Sequence, residues 1–178
     1  MDRCDSCQFI YADIDATILP TRLAAFGTRY RALLLPLSRP AAWSGILRTR
    51  PAEGVWSALE YACHVRDVFL VQRDRLYIAL VEDTPTCAPS YRDHRVTLAR
   101  YNAQDPAEVA EQLATAARLI AQAFDALNST QLQRRCLYTF PAPAERPLLW
   151  VGQHTVHEGE HHLRDIEEVL TRVRATAG

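Results

Sequence analysis

The chain has 178 residues, 48% of them hydrophobic, which is enough for one well-buried core and short for two. A formal net charge of −1 and a pI near 6.6 leave no overall basic field to recruit nucleic acid or anionic lipid. The longest apolar runs fall short of a bilayer span, and the opening Met-Asp-Arg-Cys-Asp lacks the basic-then-apolar order of a secretion signal. A soluble cytoplasmic protein is expected.

In chain order the first feature is Cys4-Asp-Ser-Cys7, the spacing of half a zinc knuckle. No second cysteine pair completes it, and five cysteines (4, 7, 63, 87 and 136) do not make an even disulfide set. Two reduced thiols near a loose terminus are the expectation. All basic side chains are arginine and none is lysine, which fits the codon bias of a GC-rich genome and bears on source, not mechanism.

Helical periodicity recurs four times, and nothing alternates with period two over a useful length. The first helix is predicted from about Thr21 to Leu35, with Leu23, Phe26, Tyr30, Leu33 and Leu34 on one face, and it ends at Pro36 and Pro40. A loop rich in Arg and Pro follows. Ser57-Ala-Leu-Glu60 reads as a capping box that starts a second helix reaching about Val81, apolar on most sides around Val68 to Val71. Asp105-Pro106-Ala-Glu108 opens a third, with an Asp cap and Pro at the first helical position. Leu137-Tyr-Thr-Phe140, followed by Pro141 and Pro143, is predicted to be a connection with a short extended piece. The fourth helix should run from near Pro147 to about Ala175. Four such helices with connections of about 15 to 25 residues predict a single all-α domain, residues 1–178, built as a four-helix bundle.

The last helix opens on the densest chemistry in the chain. Four of the six histidines lie in His154-Thr-Val-His157-Glu158-Gly-Glu-His161-His162. Neutral imidazole is the commonest metal ligand, and residues four apart share a helix face. The run therefore offers Glu158 with His162, or His157 with His161. Helix phase separates the two. Relative to Ile166 on the apolar stripe, His162 falls roughly 40° away and Glu158 roughly 80°, whereas His161 falls roughly 140° away and His157 nearly opposite. Glu158 and His162 should point into the bundle, and His157 and His161 outward. A buried carboxylate needs a cation, either a metal or an arginine such as Arg66. His64 shares a stripe with Tyr61, Val68 and Val71 on the second helix, so it can supply a third ligand or be an ordinary core histidine.

Trp56-Ser-Ala-Leu-Glu-Tyr-Ala-Cys-His64 and His154-Thr-Val-His-Glu158-Gly-Glu-His-His162, taken together, resemble the DinB-like superfamily. Cys4-Asp-Ser-Cys-Gln-Phe-Ile-Tyr11 resembles the opening of an actinobacterial branch of it. The resemblance implies a four-helix bundle holding a divalent metal near one end of its core. One ligand would come from the second helix and two from the last, which here are His64, Glu158 and His162. Many members use three histidines. The His-Glu-His set instead resembles mycothiol-dependent maleylpyruvate isomerase, of the same superfamily.

That resemblance implies a divalent metal and mycothiol as co-substrate; the ligand set accepts Zn²⁺, which is expected, or Ni²⁺ or Fe²⁺. The expected activity is a thiol S-transfer or isomerisation in which the metal makes the thiol a thiolate that attacks a small-molecule electrophile. Trp56 would either wall the mouth or simply pack; Arg66, Arg48 and Arg50 would either hold polar groups of the substrate or be ordinary surface arginines; His161 would shuttle protons. Two other outcomes share the site: a hydrolase using activated water, or a metal- or ligand-binding protein without turnover. No nucleic-acid or membrane partner is expected, and the chain would act as a monomer or homodimer.

Overall fold

A computed structural model describes residues 3–139 and 142–177. Its long helices are α1 (Leu19–Leu34), α3 (Ala58–Val81), α5 (Pro106–Asp125) and α7 (Leu148–Ala177). Short helices α2 (Trp43–Arg48), α4 (Arg92–Leu98) and α6 (Ser129–Leu132) sit in the connections, with strands β1 (Arg135–Tyr138) and β2 (Ala144–Pro147) just before α7. Helix α1 packs against α5 and α7, and α3 packs against the same two. Thus α1 and α3 are diagonal in the bundle, as are α5 and α7, and the connections joining each pair must cross an end of the bundle.

Local chemistry sets the helix starts. The Ser57 hydroxyl accepts from the Glu60 amide at 3.2 Å, and the Glu60 carboxylate accepts from the Ser57 amide at 2.8 Å, completing the capping box. Arg50 forks onto the same carboxylate at 2.6 and 2.8 Å, tying the preceding loop to α3. Asp105 accepts from Ala107 and Glu108 at the head of α5, with Pro106 at the first position.

Two expectations change. The Arg/Pro loop contains α2, whose Trp43 indole donates to Leu34 O at 2.9 Å and seats that turn on α1. Helix α3 is less completely buried than its apolar run implies: Leu70 is exposed, and Val68 and Val71 line a cavity. The connection before α7 is a two-stranded antiparallel hairpin pairing Tyr138 with Ala144; Phe140 and Pro141 lie outside the described residues. Among the described residues no helix is long and apolar enough to cross a membrane.

Helix α7 approaches α1 closely at Gly159. A Cβ there would fall 2.5 Å from the Phe26 ring, and the Tyr30 hydroxyl donates to Gly159 O at 2.9 Å. These contacts fix the height and rotation of the residues on either side, Glu158 among them.

Candidate metal centre

Helix α3 presents His64 and α7 presents Glu158 and His162 to one point. Glu158 Oε2 lies 3.6 Å from His64 Nε2 and 3.6 Å from His162 Nε2. Those separations exceed a hydrogen bond. Nitrogen and oxygen ligands about 2.0–2.2 Å from one tetrahedral zinc would stand roughly 3.4 Å apart, so the spacing fits a shared divalent cation. His64 Nε2 is buried and has no hydrogen-bond partner, the mark of an atom with an unmet need. Two neutral imidazoles and one carboxylate are a borderline donor set that suits Zn²⁺, Ni²⁺ or Fe²⁺.

The surroundings orient these donors. His162 Nδ1 lies 2.7 Å from Asp165 Oδ2, so Nδ1–H donates to the carboxylate and Nε2 faces Glu158. Burial pulls the His162 pKa down, but the Asp165 and Glu158 carboxylates outweigh it and raise it to about 9. Burial pushes Glu158 up, yet the imidazoles of His162, His64 and His154 hold it well below the ordinary carboxylate range. Burial lowers His64, which stays neutral and able to ligate. On the other side of Glu158, Oε1 lies 3.7 Å from His154 Nε2 and 3.7 Å from His157 Nδ1. The Tyr11 hydroxyl is 2.9 Å from His154 Nδ1, so Tyr11 can donate there and leave Nε2–H directed at Glu158.

His64, His154 and Glu158 line a cavity of about 480 Å³, within the usual range for small-molecule sites. Its walls include Val68, Val71, Gln72 and Arg75 of α3, the segment from Pro89 to Arg95, and Tyr138. Arg75 is held by neutral acceptors only: the Tyr138 hydroxyl at 3.2 Å, Gln72 Oε1 at 3.3 Å and the Ala88 carbonyl. Among the described residues no carboxylate pairs with it. Sequence reading missed Arg75, although it lies eleven residues, close to three turns, beyond His64 and so on the same face.

The remaining expected residues are placed as follows. Trp56 sits with its ring 5.2 Å from that of His64, beside a donor, but does not line the cavity. Arg66 does not reach the centre: it is bound to Asp67, Gln104 and Gln112 at 2.7–2.8 Å on another face of α3. Arg48 is spent on the Asn102 and Gln104 carbonyls, and Arg50 on Glu60. His161 does not line the cavity; its Nε2 faces Asp165 at 3.7 Å. His157 departs most from expectation. It is only 8% exposed, because residues 3–11 fold back over the face of α7 that points away from the bundle. Phe9 and Tyr11 pack on its ring at 5.4 and 5.5 Å.

A helical bundle with a histidine–carboxylate donor set at the head of a small-molecule cavity defines the class. The model of the DinB superfamily matches residues 28–166, and the chain belongs to that family. Among solved structures it is similar to YfiT from Bacillus subtilis, described as a probable metal-dependent hydrolase with an unusual four-helix bundle topology. That match has a TM-score of 0.76 and 17% identity, over 97% of this chain and 91% of that one. No curated protein matches the chain.

Proposed function

We propose that the chain is a divalent-metal-dependent thiol S-transferase or isomerase, with His64, Glu158 and His162 as the metal ligands and mycothiol as the co-substrate. The observation that carries this reading is the convergence of three donors from α3 and α7 where His64 and Glu158 reach the cavity wall. A divalent cation held there would supply the Lewis acidity that makes a thiol, or water, nucleophilic near neutral pH. The preference for a thiol comes from the His-Glu-His pattern and its resemblance to the mycothiol-dependent isomerase.

The protein's own groups do the rest. Asp165 holds the His162 ring so that its Nε2 lone pair is aimed. Tyr11 and His154 brace the second oxygen of Glu158. Arg75, without an anionic partner among the described residues, would take a carboxylate of the electrophile by a forked hydrogen bond, and Val68 and Val71 would shed water from its apolar part. A second reading, hydrolysis by activated water, is favoured by the description of the structural neighbour.

Purified metal-loaded protein incubated with mycothiol and a fluorogenic bimane electrophile separates the two. Conjugate formation that needs both thiol and metal, and that is lost in His64→Ala, is expected. Ester cleavage without thiol would transfer the assignment to hydrolysis, and bound metal with turnover of neither would leave a binding protein.

A further inference from the structure

The amino-terminal turn and the outer face of α7 bring two thiols and two imidazoles together: Cys4, Cys7, His157 and His161, one ligating atom of each within 4.8 Å of all the others. We propose that they form a second, structural Zn²⁺ site that clamps residues 3–11 onto α7. The inference is independent of the activity proposed above and rests on that reading only for the inner-centre equivalent counted in its test.

The sequence builds this site from two local patterns. Cys4 and Cys7 flank a tight turn closed by Gln8 N donating to Cys4 O at 2.8 Å and Cys4 N donating to Phe9 O at 2.9 Å. Gln8 adopts the left-handed region, φ 61°, which lets the chain double back. His157 and His161, four apart on α7, share one face. Arg164, also on α7, donates to Cys7 O and holds the turn over the helix.

His157 supplies the independent sign of a missing ligand. Its side chain is nine-tenths buried, yet neither Nδ1 nor Nε2 has a hydrogen-bond partner. A neutral imidazole always has one nitrogen to donate and one to accept, so burying both unmet is costly. His161 Nδ1 already lies 3.9 Å from Cys4 Sγ, near the separation of two ligands on one zinc. Its other nitrogen faces Asp165, the usual outer carboxylate partner of a ligating histidine.

The chemistry distinguishes this site from the first. Two thiolates and a Zn²⁺ sum to zero charge, which suits a covered position, and four protein ligands leave no open coordination place. Thiolate and imidazole select Zn²⁺ over Mg²⁺ or Ca²⁺. The half-knuckle at Cys4 and Cys7 therefore finds its other half in histidines about 150 residues away, where a search for a second cysteine pair would not look.

The test is metal content and Co²⁺ spectroscopy on reduced full-length protein. Wild type should hold two equivalents, and Co²⁺ in place of zinc should give the near-ultraviolet thiolate-to-metal charge-transfer band together with intense tetrahedral visible bands. Cys4→Ser/Cys7→Ser should fall to one equivalent and lose the band, and Glu158→Ala/His162→Ala should fall to one equivalent and keep it. If the cysteine variant fails to fold, the wild-type spectrum still decides. Absence of a thiolate band in Co²⁺-loaded wild type, or a Cys4–Cys7 disulfide recovered without metal under reducing conditions, would overturn the proposal.

Discussion

Asp165 Oδ2 stands 2.7 Å from His162 Nδ1, and the same oxygen lies 3.7 Å from His161 Nε2. One carboxylate thus faces a proposed ligand of the inner centre and a proposed ligand of the outer one. Removing it leaves the ligands in the sequence but frees their rings. Asp165→Ala should weaken metal affinity about 10- to 100-fold, read by competition with a chromophoric chelator. Unchanged affinity would show that helix packing alone orients His162.

Metal uptake at the inner centre should depend on pH through His162. Its pKa of about 9 in the metal-free protein lies above the ordinary value of 6.5. Glu158 and Asp165 face it on α7, with His161 beside it and Tyr61 and His64 opposite on α3. Below about pH 9 the ring carries a proton that the cation must displace, so affinity should rise close to tenfold per pH unit from pH 7 towards 9. Calorimetric titration in buffers of different ionisation enthalpy should report about one proton released from this centre near pH 7. For metal-free stability the sign is opposite: the contribution of His162 is complete below pH 6.5 and is lost as pH rises through 9.

Arg75→Gln should raise KM for a carboxylate-bearing electrophile by about ten- to a hundredfold and leave kcat nearly unchanged. The side chain would bind a remote group equally in ground and transition states. A neutral electrophile of the same size should show no such loss. Equal loss for both would mean that Arg75 merely props Tyr138.

At Gly159 even one methyl is too much. The Phe26 ring atoms nearest the built Cβ lie at 2.5, 2.6 and 2.8 Å, and the ring is fully buried. Gly159→Ala should cost about 1–3 kcal/mol, as overpacking does, despite the better helix propensity of alanine. The midpoint of urea unfolding measures it. Because Glu158 is the adjacent residue, metal affinity should fall as well.

The four long helices could be read from periodicity and caps, since Ser57/Glu60 and Asp105/Pro106 act within one turn. Helix phase brought Glu158 and His162 to the bundle side of α7, where the structure has them. The same phase arithmetic put His157 towards water, because it knows only the helix and not what lies on it. Residues 3–11 are short, with no periodic pattern, and their docking is a tertiary event. For the same reason Cys4 and Cys7 read as loose thiols. Arg66 and Arg75 both lie on α3, and no composition rule tells a guanidinium tied to Asp67 from one facing a cavity. Short helices such as α2 owe their existence to tertiary anchors such as the Trp43–Leu34 bond.

The diagonal placement of α1 and α3 has a consequence for biosynthesis. On the ribosome, α1 and α3 emerge first but do not pack as neighbours, and each must wait for α5 and then for α7. The inner cluster can therefore assemble only once α7 has emerged, because Glu158 and His162 both lie on it. A nascent chain stalled before α7 would hold His64 alone and bind nothing tightly, so metal loading would double as a report that α7 had been made and docked.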